Sequence, residues 1–221
     1  MKLSEISTKY AENTPLRIIL TNIIPVFGSS IDLAFSSYAD KIYKKRIETA
    51  LDNLDDEVKD LQKSILNEDF LKSESFFDIF RLYLEKSIRT RQKEKIQYYA
   101  RLLTEAIKVP EKIEQGEQDI EKISSLSISD LMVMKYMYEQ NLQDPELFSN
   151  PDELISGSKL TKQIPVNLPK IDPLNKSEIE LSMNNLISKG LVREYSGSAG
   201  TYGGDWYFIT PLLKQIMKKI N

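Results

Sequence analysis

The sequence predicts a mainly α protein with one small β-hairpin: a helical bundle over residues 1–110, a charged linker over 111–123 and a second domain over 124–221. Three observations carry that prediction. Apolar residues in the first half recur at steps of three and four, which lays a stripe along one face of a helix. The pattern closes at Val109-Pro110 and is followed by EKIEQGEQDIEK, a charged stretch with a central glycine. Near the C-terminus two short runs rich in apolar and aromatic residues flank SGSAGTYGG, the signature of a hairpin with a flexible loop.

Met1 to Glu12 is polar and mixed in charge, unlike a secretory signal peptide. Leu16 to Ala39 is the most apolar stretch and is long enough for a bilayer, which takes roughly 20 residues. Asn22, Pro25, Gly28 and Asp32 interrupt it, so the favoured reading is a buried helix, a Pro-Gly bend and a second buried helix in a cytoplasmic protein. A membrane-inserting hairpin is the alternative. From Ile42 to Leu66 one long helix is expected, with Ile47, Leu51, Leu54, Val58, Leu61 and Ile65 as its stripe and Asp52, Asp55, Asp56, Glu57 and Asp60 on its remaining surface. A loop over 67–75 follows, with Ser75 as a helix cap paired with Asp78. The next helix carries Phe76, Phe77, Phe80, Leu84 and Ile88. Its stripe is lost between Arg89 and Lys95 and resumes in a new phase at Ile96, Tyr99, Leu103 and Ile107, which marks a break or bulge. Short connections make these helices antiparallel neighbours.

In the second half, Ser127 and Asp130 open a helix through Leu131, Met134 and Tyr138 with a capping box. Pro151 is placed to begin a short helix, and Pro165, Pro169 and Pro173 force an extended connection. Ile179, Met183, Leu186 and Ile187 stripe a further helix that Gly190 terminates. Leu191 to Tyr195 and Asp205 to Ile209 read as strands, and Thr210-Pro211 starts a last helix.

The residues Leu186-Ile187-Ser188-Lys189-Gly190-Leu191-Val192 and Trp206-Tyr207-Phe208-Ile209-Thr210-Pro211, in that order of elements, resemble a winged-helix domain over roughly 124–221. The sequence departs from the family's pattern at Leu213-Lys214, where a glycine often stands. More loosely, Glu94 to Leu103 and Ile24 to Gly28 make the whole chain similar to uncharacterised bacterial proteins of the abortive-infection alpha type. That resemblance implies a helical region joined to a C-terminal segment of this kind, and a place in phage defence.

Composition limits the chemistry. The 221 residues include no His and no Cys, so no thiol nucleophile, imidazole base, disulfide or zinc finger is available from this chain. No Gly-rich phosphate loop and no dinucleotide fingerprint is present. A non-enzymatic protein without cofactor or metal is therefore expected. The net charge of −3 is unevenly spread. Residues 81–101 hold seven basic residues against two acidic ones, whereas residues 124–221 hold ten against eleven. A DNA-binding winged helix needs cations on its third helix and wing. Here that helix offers Lys176, Asn184, Asn185 and Lys189 beside Glu178 and Glu180, and the wing offers none. The basic segment, with Arg81, Arg89, Arg91, Lys93 and Lys95, either meets nucleic acid or anionic lipid, or pairs with the acidic helix. Tyr202 in the hairpin loop is a candidate anchor for a partner. These features favour protein interaction or self-association, with a homodimer built on the stripe of residues 47–65. A DNA-binding regulator and a membrane-active effector using residues 16–39 are the alternatives.

Overall fold

A computed structural model describes residues 8–10, 14–36, 41–144, 171–196 and 205–221. The protein is mainly helical with one two-stranded antiparallel hairpin near the C-terminus. It divides into two compact units, Met1–Ser124 and Ser125–Asn221.

The first unit opens with helix α1, Pro15–Ser36. No bend separates two helices at Pro25 and Gly28, as the sequence reading expected; both lie inside one helix. Proline removes one N–H and leaves the carbonyl four residues earlier without its helical donor. That carbonyl belongs to Thr21, and Thr21 and Pro25 are both exposed, so water can take the place of the missing bond. Leu16, Ile19, Leu20 and Ile23 are fully buried, and Phe27 stacks on Phe77 at 4.5 Å between ring centroids. No helix among the described residues is long and apolar enough to cross a membrane.

Helix α2, Lys41–Val58, is shorter than the pattern to Leu66 suggested, and Lys63–Ile65 forms a separate 3-10 turn. The stripe Ile47, Leu51, Leu54 and Val58 is buried within the unit, against α1 and the helices that follow. It is therefore spent on the bundle's own core and does not face a second chain. The expected loop over 67–75 contains a short helix, α3, Glu68–Leu71, capped by Asn67. Ser73, not Ser75, caps helix α4, Glu74–Arg89, by accepting a hydrogen bond from the Phe76 amide. The break in the apolar stripe is a turn at Thr90–Gln92, after which helix α5 runs Lys93–Lys108.

Residues 111–123, read in the sequence as a linker or a short exposed helix, lie mostly in a helix. Helix α6, Ile113–Ser124, packs on α4 and α5 with Gly116, Asp119, Ile120 and Ile123 buried. A Cβ on Gly116 would lie 3.0 Å from Ile79 Cδ1 and 3.3 Å from Ala106 Cβ, so glycine here sets the close approach of α6 to both helices. Of the charged residues in this stretch, Glu114 and Glu121 are exposed on the other side of an amphipathic helix, whereas Asp119 is buried and accepts from the Gln115 side-chain amide at 2.8 Å.

The second unit begins with helix α7, Ile128–Gln143, whose capping box is complete: the Ser127 hydroxyl accepts from the Asp130 amide, and the Asp130 carboxylate accepts from the Ser127 amide at 2.7 Å. Helix α8, Lys176–Ser188, packs on α7 and ends at Gly190, where φ is +69°. The Leu191 amide donates to the Leu186 carbonyl and the Gly190 amide to the Ile187 carbonyl, which satisfies the last turn and suits a residue without a side chain. Strands β1, Val192–Ser196, and β2, Asp205–Ile209, pair antiparallel with Val192 opposite Ile209 and Tyr195 opposite Trp206. Helix α9, Pro211–Ile220, packs on α7. Its cap, Thr210, donates its hydroxyl to the Gly190 and Leu191 carbonyls and so ties the start of α9 to the end of α8. The short helix expected at Pro151, the extended connection through Pro165 and Pro169, and most of the hairpin loop lie outside the described residues.

Candidate functional site

The predicted contact residues fall into two groups that the fold treats differently. On α4, Arg81 lies 3.9 Å from Asp78 and Arg89 lies 3.0 Å from Glu85, each within its own helix. Lys86 reaches α6 and pairs with Glu121 at 2.7 Å, while Arg101 on α5 pairs with Glu57 on α2 at 3.0 Å. The basic segment thus meets the acidic helix at Glu57. Of the other α2 carboxylates, Asp52 accepts from the Tyr10 hydroxyl at 2.9 Å, Glu48 pairs with Lys9 at 2.6 Å, and Asp56 lies 3.7 Å from Lys59 within its own stretch of chain.

Lys95 is not a surface contact residue. It is only 6% exposed, and its amine donates to the Ser124 carbonyl at 3.2 Å. Ser124 ends α6, so the cation sits where the helix's terminal carbonyls and its dipole favour positive charge. This accounts for the interruption of the α5 stripe that Lys95 causes. Arg91, on the turn between α4 and α5, and Lys93, the first residue of α5, are by contrast exposed and make no ion pair with a described residue.

On α8, Lys176 is exposed and lies 3.7 Å from Glu180, and Asn184 is exposed. Asn185 is not free to read a base edge. Its amide donates to the Asp130 carboxylate at 2.6 Å and fixes α8 to the capping box of α7. Lys189 is half-buried at the helix end. Tyr202 lies outside the described residues.

Two features were missed in the sequence. The first is Leu181, 71% exposed on α8. It stands off the buried stripe of Ile179, Met183 and Leu186, and its helix neighbours at steps of four and three are the exposed Ser177, Glu178 and Asn184 and the half-buried Asn185, with exposed Ser188 two turns on. An apolar residue out of phase with its stripe is legible in a sequence, and it marks a surface rather than a core position. The second is the run KIYKKR at the start of α2, four cations without an acid, which the count over residues 81–101 did not include.

Around α2 the ionisable groups are crowded. The Tyr10 hydroxyl is held well above its ordinary range, first by burial and then by its bond to Asp52. Asp55 is raised as a carboxyl by burial and by the neighbouring Asp56 and Asp52, with Lys59 opposing. One of its oxygens is buried without a hydrogen-bond partner among the described residues. Among the described residues no group of three or more acidic side chains is arranged to hold a metal ion.

No family model matches the chain, and neither the curated proteins nor the solved structures give a match.

Proposed function

We propose that the protein is a non-enzymatic assembly protein that self-associates through its C-terminal unit. The observation that carries this reading is the outward side of α8. Leu181 stands 71% exposed beside Ser177, Asn184 and Ser188, and the charged residue three or four positions from it is an acid, Glu178, with no cation at those steps. A helix that enters the major groove meets phosphates on both sides and needs cations there. A face centred on leucine that offers an acid and no cation suits a protein surface better, and it gains about 1.5–3 kcal/mol when one such side chain is fully buried. Lys176, the cation nearest the start of α8, is engaged with Glu180.

The order α7, α8, hairpin, α9 and the Gly190 and Thr210 junctions support the likeness to a winged-helix domain, here used as a protein-binding module. A regulatory or phage-defence setting follows from the abortive-infection alpha likeness of residues 24–28 and 94–103. Release of residues 16–39 into a membrane is disfavoured on energy. Insertion would carry Asp32 to bilayer depth, which costs about 2.5–3.5 kcal/mol for an ionised aspartate at the centre of a spanning helix. The test is light scattering on the full chain. A defined oligomer that Leu181→Asp converts to monomer, with unchanged circular dichroism, supports the proposal; a wild-type chain that stays monomeric at high concentration overturns it.

A further inference from the structure

The helices of the N-terminal unit bring together cations that lie far apart in the sequence. The Arg46 guanidinium donates to the Ile88 carbonyl at 2.6 Å, and the Tyr83 hydroxyl donates to the Ala50 carbonyl, so α2 and α4 are antiparallel. The start of α2 therefore lies beside the end of α4 and the turn that follows it. Lys95, early in α5, and Ser124, at the end of α6, meet at 3.2 Å. One end of the unit consequently collects Lys41, Lys44, Lys45 and Arg46 from α2 with Arg89, Arg91, Lys93 and Lys95 from the α4–α5 connection.

These eight cations have different fates. Arg46 and Lys95 are engaged with the carbonyls that end α4 and α6, and Arg46 also lies over the Tyr43 ring at 5.6 Å. Arg89 is paired with Glu85. Lys41, Lys44, Lys45, Arg91 and Lys93 remain exposed and make no ion pair with a described residue. Glu94 is the acid on the same turn, and Glu48, the next acid along α2, is taken by Lys9 at 2.6 Å. With a rise of about 1.5 Å per residue, Lys41 stands about 7 Å along the α2 axis from Arg46. The five charges thus come from two separate elements at one end of the bundle.

We infer that this end of the N-terminal unit binds the phosphate backbone of a nucleic acid, without reading base sequence, through Lys41, Lys44, Lys45, Arg91 and Lys93. A backbone presents closely spaced charges along a line, and cations that neutralise several phosphates release counterions together. An anionic membrane fits the geometry less well. A helix that docks on a bilayer buries its apolar face in the headgroup region. The apolar face of α2, Ile47 to Val58, is already inside the bundle, and the large apolar side chain left exposed among residues 41–46 is Ile42.

The experiment is fluorescence anisotropy with labelled duplex and single-stranded DNA and RNA of mixed sequence, titrated from low to physiological salt. The full chain is expected to bind one or more of them, with affinity falling steeply as salt rises. Lys44→Gln/Lys45→Gln and Arg91→Gln/Lys93→Gln should each reduce the slope of log affinity against log salt by about 1.4–1.8, at roughly 0.7–0.9 per phosphate contact for single and double strands. All four substitutions are at exposed positions, and circular dichroism checks that the fold is kept. Lys176→Gln/Lys189→Gln, in the other unit, should leave the slope unchanged. No binding to any of these polymers at low salt overturns the inference, as does an unchanged slope in both double variants. Retention on phosphatidylserine vesicles with no nucleic-acid binding overturns it in favour of a lipid surface.

Discussion

Single side chains decide what the polar groups of this protein are available for. Asn185 and Lys95 both look like surface groups in the sequence, one beside a second asparagine and one in a basic run. Each is committed to an acceptor inside its own unit, Asn185 to the buried Asp130 and Lys95 to the Ser124 carbonyl. Truncation therefore reads as stability, not as affinity. Asn185→Ala leaves the Asp130 carboxylate, buried on α7, with one donor fewer and should cost about 1–3 kcal/mol in a denaturant titration of the full chain. Asp55 behaves in the opposite way. Its carboxyl holds its proton more tightly in the fold than in the unfolded chain, because of burial and the Asp56 and Asp52 charges. Such a group adds stability while protonated and loses it as pH rises through its folded value. Asp55→Asn should stabilise the fold slightly at neutral pH, by about a few tenths of a kcal/mol for a half-buried side chain, read as a small rise in Tm. The gain should fade as pH falls below the carboxylate range; a gain that persists there would assign it to another cause.

Whole elements were legible where the signal is local and hidden where it depends on a neighbour. The Ser127–Asp130 capping box, the Gly190 stop and the Thr210-Pro211 start are each defined by a few consecutive residues, and each stands at the place the sequence gives it. The break between α4 and α5 was visible as a phase shift for the same reason. Pro25 and Gly116 were misread because a proline or glycine states only what the backbone may do. Pro25 is tolerated within α1 because the carbonyl it frees is on the exposed side. Gly116 is a contact position, set against Ile79 and Ala106, and not a flexible joint. Gly116→Val should accordingly destabilise the N-terminal unit by about 1–3 kcal/mol through overpacking, despite valine's better helix propensity than glycine's. A thermal melt no lower than that of the wild type would mean that α6 can shift away from α4 without loss.

At the level of the whole molecule, an almost balanced charge conceals two surfaces of different character. The N-terminal unit gathers exposed lysines and an arginine at one end of its bundle, while on α8 in the C-terminal unit no cation stands three or four residues from the exposed Leu181. Counting charge by sequence window found part of the first surface and missed its other half, since Lys41 to Arg46 join Arg91 and Lys93 only through the antiparallel packing of α2 on α4. It could not find the second, which depends on which side of α8 faces α7. Of the stripe of residues 47–65, which suggested pairing with another chain, Ile47, Leu51, Leu54 and Val58 are buried in the core of their own unit and Ile65 alone is exposed, so the helical part of that stripe is not free for self-association. Light scattering on the full chain, compared with Leu181→Asp, tests this most directly. The account predicts a defined oligomer for the wild type and a folded monomer for the variant. A monomeric wild type at high concentration, or an oligomer unaffected by the substitution, would contradict it.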